Sequence, residues 1–319
     1  MIGEGCSAWI YLAEKDLGRS RVRRGRRGRT QSVAIKVPKP GTSDELFVDE
    51  ATIGSRVRHK NLVRSHRLFR HNGRPCIEME LVKGVQLDKL VVQRRVVRPM
   101  HPLRAAEVVR QASLGLNHFH KVRSGVGIPL RAVHCDVKTS NVIITTGGRI
   151  KVCDMGVAKF AGGTFPNEPG MVRGTPEFMS PEQVTAQALD GRSDVFALGT
   201  LLYTLVMGRH PFMGTDATAT MCVVASGRYR DQLQSFGLRS PELLLVLAKC
   251  WYLEKQYRFQ SACELAFALS KVQKMILVDW GDDEMPPTLV EMVARYEPSR
   301  DRAVQMATMP GLQTVQSWI

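Results

Sequence analysis

Gly3-Glu4-Gly5-Cys6-Ser7-Ala8-Trp9-Ile10 sets two glycines one residue apart near the start of the chain, with the small Ala8 three residues on. A turn of that composition brings backbone amides close to a polyphosphate. Val33-Ala34-Ile35-Lys36 follows, and Glu50 lies fourteen residues after Lys36. A strand lysine held by a helix glutamate can bind the α- and β-phosphates of a nucleotide. Glu45 competes for that lysine. Glu50 is favoured because it precedes Ala51 and lies nine residues before His59-Lys60-Asn61-Leu62-Val63. The densest group of chemically capable side chains is His134-Cys135-Asp136-Val137-Lys138-Thr139-Ser140-Asn141, followed by Asp154-Met155-Gly156.

That group resembles the eukaryotic-type protein kinase family, whose pattern reads H-R-D-x-K-x-x-N and then D-F-G. Asp136, Lys138 and Asn141 stand at the family's spacings, and Asp154 follows thirteen residues after Asn141. Gly174-Thr175-Pro176-Glu177-Phe178-Met179-Ser180-Pro181-Glu182 is similar to the substrate-docking loop that ends in A-P-E. Asp190-Gly191-Arg192-Ser193-Asp194-Val195-Phe196-Ala197-Leu198-Gly199 is similar to the central buried helix. Arg258 stands where the family places the arginine that pairs with Glu182. The resemblance covers about Ile2 to Val272, in the family's order.

The resemblance implies an ATP-dependent serine/threonine protein kinase acting on protein substrates, itself included. By its terms Asp136 orients the substrate hydroxyl and accepts its proton. Lys138 stabilises the transferring phosphoryl, and Thr175 links it to Asp136. Asn141 and Asp154 hold Mg2+, with Mn2+ as a substitute, because hard amide and carboxylate oxygens suit such an ion. Lys36, held by Glu50, positions the nucleotide. Ile2, Gly3, Glu4, Gly5, Cys6 and Ser7 form the turn over the nucleotide. Ile2, Ile10, Ala34 and Ile143 wall the adenine, Met79 is the gatekeeper, and the backbones of Glu80 and Val82 read the adenine edge. Lys138 two residues after Asp136 is the pattern of serine/threonine kinases. The rival readings are a kinase-like scaffold with little catalysis and a small-molecule kinase. Lys36, Glu50, Asp136, Asn141 and Asp154 argue against the first, and the docking loop argues against the second.

The chain departs from the family pattern in four places. Cys135 replaces an arginine that often captures a phosphate on the activation loop. Cysteine carries no fixed positive charge, so phosphorylation of that loop, at Thr164 for example, is not expected to be the main on-switch. Met155 replaces phenylalanine and fills a similar apolar site. The stretch from His120 to His134 is long, and Gly125-Val126-Gly127-Ile128-Pro129 suggests a surface loop. Few residues precede Gly3, so either the first strand is cut short or the true start lies upstream of this sequence.

The elements that must position these residues divide into strands first and helices later, an α+β, two-lobed architecture. Strands are expected at Ala8 to Ala13, Ser32 to Val37, Leu62 to Phe69 and Pro75 to Val82. A helix is expected from Asp44 to Arg58, with Ser43 as its N-cap. Leu103 to His120 has helical apolar spacing, an acidic residue early and basic or histidine residues late. Val142 to Thr145 and Arg149 to Cys153 form a strand pair turned by Gly147-Gly148. Further helices are expected at Ser193 to Val206, Pro241 to Leu253 and Ser261 to Gln273. The expected division is an N-lobe at 1–79, a hinge at 80–83, a C-lobe at 84–272 and an extension at 273–319. The extension holds one candidate helix near Leu289 to Tyr296. Thr308 and Thr314 are candidate autophosphorylation sites, with an unmodified extension as the plain reading.

The chain has 319 residues, 44% hydrophobic and 24% charged, which is ordinary for a globular protein. Its seven cysteines include no C-x-x-C pair, so free thiols in a reducing, cytoplasmic setting are expected and zinc is not. The longest uncharged apolar run, Val195 to Gly208, is too short to span a bilayer, so no transmembrane segment is expected. The formal net charge is +15, and Arg19, Arg21, Arg23, Arg24, Arg26, Arg27 and Arg29 crowd one short stretch. A solvated loop is the plain reading, and a dock for an acidic partner the sharper one. No nucleic-acid partner is expected.

Overall fold

The computed structural model describes residues 1–5, 7–16, 30–93, 96–163, 173–280 and 285–296. The candidates Cys6, Thr164, Thr308 and Thr314 and the arginine-rich stretch lie outside the described residues. Residues 1–55 and 64–82 belong to one compact unit, and residues 56–63 and 83–296 to another.

In the smaller unit, β1 (Gly3–Glu4), β2 (Ala8–Asp16), β3 (Thr30–Pro38), β4 (Ser65–His71) and β5 (Arg74–Glu80) form an antiparallel sheet of order β1-β2-β3-β5-β4. β1 is two residues long, paired Gly3 to Ile10 and Glu4 to Trp9. β2 and β3 pair without a break from Ala8–Pro38 to Asp16–Thr30, and Ile10 lies opposite Lys36. The helix α1 (Asp44–Arg56) carries acidic residues in its first turn and an arginine in its last, which suits its dipole. It ends two residues before the expected Arg58. Its apolar face packs Phe47 and Ala51 against Ala8 and Ile77, with Met79 at the edge.

The strand expected from Leu62 begins only at Ser65. The reason is competition for the backbone of 61–63. The Val63 amide donates to the Val152 carbonyl at 2.9 Å, and the Val152 amide donates to the Asn61 carbonyl at 2.9 Å. The Asn61 side chain also donates to the Ile150 carbonyl at 2.7 Å. Leu62 therefore bridges Val152 and does not extend β4.

The larger unit opens with β6 (Gly84–Gln86), α2 (Leu87–Val91) and the short pair β7 (Val92–Gln93) and β8 (Val96–Val97). The long helix α3 (Pro102–His120) starts with the His101 ring accepting the Leu103 amide. Its first turn carries no acidic residue; Glu107, the acid expected early, sits a turn further in and binds Arg110. β9 (Val142–Thr145) and β10 (Ile150–Val152) form the expected hairpin, with Gly148 at φ +72°. The segment Gly125 to Pro129 is exposed at Val126 and Ile128, as a surface loop should be.

The short α4 (Pro181–Val184) precedes α5 (Gly191–Met207), which Asp190 caps through the Arg192 amide. α5 is buried at every position from Ser193 to Val206. Phe196 on α5 stacks on Phe212 at 5.8 Å, and Phe212 meets Trp251 at 4.8 Å, forming an aromatic core.

After α6 (Ala217–Ser226) and α7 (Arg230–Arg239), α8 (Pro241–Cys250) stops three residues before the expected Leu253. Arg258 explains the stop, because it takes the Tyr252 and Leu253 carbonyls at 2.7 Å and 2.9 Å. The last long helix, α9 (Ala262–Trp280), runs past the expected end at Gln273, with Leu265, Leu269, Val272 and Ile276 buried at helical spacing. The division expected at 272–273 thus falls inside one continuous helix. Beyond it, α10 (Leu289–Ala294) begins with a capping box between Thr288 and Glu291. Leu289 and Val293 are buried, and Arg104 holds the Pro286 and Pro287 carbonyls. No helix among the described residues is long and apolar enough to cross a membrane.

Candidate active site

In the smaller unit, β3 and α1 bring Lys36 and Glu50 together. The lysine ammonium lies 2.7 Å and 2.6 Å from the two carboxylate oxygens, and both residues are buried. The competing Glu45 is bound by the Ser43 hydroxyl. Backbone bonds fix the glycine turn. The Gly5 amide donates to the Ala8 carbonyl at 2.9 Å, and the Ile2 amide donates to the Ile10 carbonyl at 2.8 Å. The Ser7 carbonyl accepts from the Lys39 amide and the Thr42 hydroxyl, each at 2.9 Å. Gly3 lies in β1, and Glu4 pairs with Lys39 at 2.7 Å. Ala34 is buried, while Ile2, Ile10, Met79 and Val82 are half-buried. Glu80 ends β5, and its amide donates to the Arg64 carbonyl at 3.0 Å.

In the larger unit, the segment before β9 assembles a polar triangle. The Lys138 ammonium lies 2.8 Å from Asp136 Oδ2 and donates to the Thr175 hydroxyl at 2.8 Å. The Thr175 hydroxyl donates to Asp136 Oδ1 at 2.7 Å. Asn141 Nδ2 donates to the Asp136 carbonyl at 2.8 Å and to Asp136 Oδ2 at 3.0 Å. With its amino group spent on Asp136, Asn141 keeps its amide oxygen as an acceptor. The Cys153 amide donates to the Asn141 carbonyl at 3.0 Å, which holds Asp154 beside Asn141. Asp154 is exposed at φ +65°, its Oδ1 accepting the Gly156 amide at 3.3 Å. Ile143 is half-buried in β9, and Met155 fills a buried site as expected.

The loop that carries Asp136 hangs from α5. Asp194 is fully buried there and accepts the His134 amide at 2.9 Å, the Cys135 amide at 3.0 Å and His120 Nε2 at 2.7 Å. Burial alone would raise its pKa, but the His120 and His134 interactions outweigh that and hold it below the usual carboxylate range. His134 Nδ1 accepts the Asp136 amide at 3.4 Å while its Nε2 reaches the Cys153 carbonyl at 3.2 Å. The His134 ring thus ties Asp136 to the residue before Asp154.

Cys135 is buried at φ +66°. Burial pushes its thiol pKa up, and the Asp194 carboxylate adds to the effect, so it stays an uncharged thiol. Such a group cannot hold a loop phosphate.

Glu182, the second residue of α4, lies 2.7 Å and 2.8 Å from the Arg258 guanidinium, while the Ser193 hydroxyl donates to it at 2.7 Å. Burial would raise its pKa, but Arg258 and Ser193 outweigh it and lower the value. Gly174 stands at φ +126°, where a Cβ would lie 2.7 Å from the Cys135 carbonyl oxygen.

Sequence reasoning assigned no role to Asp194, His134, His120 or Gln183. Asp194 carried a readable signal, since it is an acid at the head of an otherwise apolar stretch.

The match to a divalent metal rests on the donors. Asn141 offers an amide oxygen and Asp154 a carboxylate, and no cluster of three or more His, Cys, Asp or Glu able to hold a metal occurs among the described residues. Hard amide and carboxylate oxygens are the donor types that suit an oxygen-liganded divalent cation.

Residues 13–267 match the family model described as protein kinase domain. The chain is 30% identical over 276 residues to a tyrosine-protein kinase, MasK, of Myxococcus xanthus, covering 84% of this chain and 41% of that protein. It is 29% identical over 287 residues to a serine/threonine-protein kinase, PknA, of Corynebacterium glutamicum, covering 86% of this chain and 55% of that protein. It is 32% identical over 209 residues to a serine/threonine-protein kinase, PknB, of Mycolicibacterium smegmatis, covering 63% and 31%. The chain spans about half or less of the length of these curated relatives.

Proposed function

The chain belongs to the protein kinase family, and from that premise we propose that it transfers the γ-phosphate of ATP to serine or threonine hydroxyls of protein substrates, itself included. The observation that carries this reading is the triangle of Asp136, Lys138 and Thr175. One oxygen of Asp136 is fixed by Thr175 and the other by Lys138 and Asn141, so the carboxylate has one orientation. An acceptor hydroxyl bound at that carboxylate is aimed, and its proton passes to Asp136 as its oxygen bonds to the γ-phosphorus. The bond from that phosphorus to the bridging oxygen of ADP breaks. Lys138 neutralises charge on the moving phosphoryl group. Catalysis here is positioning and charge stabilisation, as phosphoryl transfer requires.

Protein kinases use ATP with a divalent metal, and Asn141 and Asp154 are the residues that would hold it, as Mg2+ with Mn2+ as a substitute. The metal would neutralise phosphate charge. Lys36, steadied by Glu50, holds the α- and β-phosphates. Gly3, Glu4, Gly5, Cys6 and Ser7 cover them, and Ile2, Ile10, Ala34, Ile143, Met79, Glu80 and Val82 receive the adenine. Gly174, Thr175 and Glu182 belong to the acceptor-docking segment. In this reading the catalytic domain is residues 1–272, extended by the rest of α9 and by α10, and it works in the cytoplasm.

The test is radiolabelled transfer from ATP with magnesium onto the protein itself and onto a generic basic protein, with Asp136→Asn alongside. Transfer by the wild type alone, recovered as phosphoserine or phosphothreonine, is expected. Label recovered only as phosphotyrosine would overturn the acceptor class, as the name of the Myxococcus relative makes worth checking. No transfer by the wild type would overturn the activity.

A further inference from the structure

Gln183 ends the capping box of α4, and its amide group is fully engaged. Its Oε1 accepts the Ser180 amide at 3.1 Å and the Ser180 hydroxyl at 3.2 Å. Its Nε2 donates to the Cys135 carbonyl at 2.8 Å and to the Arg173 carbonyl at 3.4 Å. The side chain is buried, so these bonds are sheltered from competing water. Helix capping needs only the oxygen end. A glutamate at this third helical position would serve that purpose equally. The nitrogen end does something else, because it joins two chain segments that both lead into the polar triangle. Cys135 immediately precedes Asp136, and Arg173 precedes Thr175 by two residues.

The geometry around this bond is tight. Cys135 holds φ +66°, a conformation that an L residue adopts only when its surroundings impose it. Its amide is fixed by Asp194 at 3.0 Å and its carbonyl by Gln183. Gly174 approaches that same carbonyl so closely that a Cβ would sit 2.7 Å from it. The Cys135 peptide is thus held from both sides, and the docking segment is laid against it. Cys135 cannot recruit a phosphate to order this segment, since its thiol is buried and uncharged.

We propose that Gln183 is a positioning residue: its amide nitrogen clamps the catalytic loop to the acceptor-docking segment, setting the Thr175–Asp136 contact without a phosphate on the activation loop. This inference rests on the protein kinase reading above. It assigns the ordering task to a neutral side-chain amide that every copy of the chain carries from synthesis.

The experiment compares the full chain with Gln183→Glu. The variant keeps an oxygen for Ser180 and loses both donated bonds. Phosphate transfer to a peptide is measured as kcat and KM, magnesium–nucleotide binding by direct titration, and integrity by melting. Misplacing reacting groups by about an ångström lowers rates by about a hundredfold. The kcat for peptide is therefore expected to fall about tenfold to a hundredfold, with nucleotide affinity unchanged. Wild-type kinetics in Gln183→Glu would overturn the inference and leave the kinase reading intact. A wild type that transfers nothing would overturn the kinase reading instead. If Gln183→Glu fails to fold, Gln183→Met, which places no charge among the carbonyls, is judged by the same criterion.

Discussion

Replacing Arg258 by methionine isolates the energetics of its buried ion pair with Glu182. Arg258 and Glu182 are 1% and 3% exposed, so no water can take the place of the lost partner. Besides Glu182, the guanidinium donates to the carbonyls of Arg192, Tyr252 and Leu253. Methionine matches its aliphatic stem, so the main loss is electrostatic. Removing one partner of a buried pair costs about 3–5 kcal/mol, because the other charge is stranded. At about 2–4 °C per kcal/mol for a domain of this size, the melting temperature at pH 7 should fall by about 6–20 °C.

The pH dependence tests the cause. In the wild type the folded pKa of Glu182 is lowered, so its contribution is present above the unfolded pKa and is lost as the pH falls through the folded one. In Arg258→Met the burial effect dominates, and the folded pKa rises above the unfolded value. The folded variant then binds a proton more readily than the unfolded chain and gains stability as the pH falls from about 7 toward about 5. The deficit measured by urea unfolding should therefore narrow on acidification. The double variant Glu182→Gln/Arg258→Met, which strands no charge, should recover part of the loss at pH 7. A deficit below about 1 kcal/mol, or one equally large at both pH values, would refute the argument.

Three further outcomes are expected. Gly174→Ala should lower peptide phosphorylation by about tenfold or more, since the new methyl meets the Cys135 carbonyl in a backbone conformation that disfavours a side chain; steady-state kinetics on the folded variant check this. Iodoacetamide at about pH 8 should label Cys222 and Cys263, which are exposed, and spare Cys135 and Cys250, whose burial keeps them thiols; peptide mass mapping reads the pattern, and early labelling of Cys135 would contradict it. Leu289→Asp should destabilise the larger unit by about 2–4 kcal/mol through a buried, unpaired carboxylate; an unchanged urea midpoint would show that α10 contributes nothing.

The cluster of Asp136, Lys138 and Asn141 was legible because all three lie within one short stretch, and the structure brings their side chains together. Lys36 found Glu50 and not Glu45 for a reason that sequence could supply: Glu50 is on the buried face of α1. Element boundaries were less legible where tertiary bonds compete for backbone. Asn61 and Val152 draw residues 61–63 away from β4, and Arg258 takes the carbonyls that would have continued α8. Gln183 was invisible for another reason. Its neighbours suggest only a helix cap, and its second task depends on a carbonyl 48 residues away in the chain.

The β2–β3 ladder has a practical corollary. Its pairing continues to Asp16 and Thr30, so the two described strand ends on either side of positions 17–29 are already zipped together. Lys36 sits opposite Ile10, well back from that open end. Closing a longer loop costs only about 0.6 kcal/mol for each doubling of its length. The position is therefore a natural insertion port. An affinity tag, a fluorescent reporter or a whole recognition module could be spliced there without re-engineering the strand that holds Lys36.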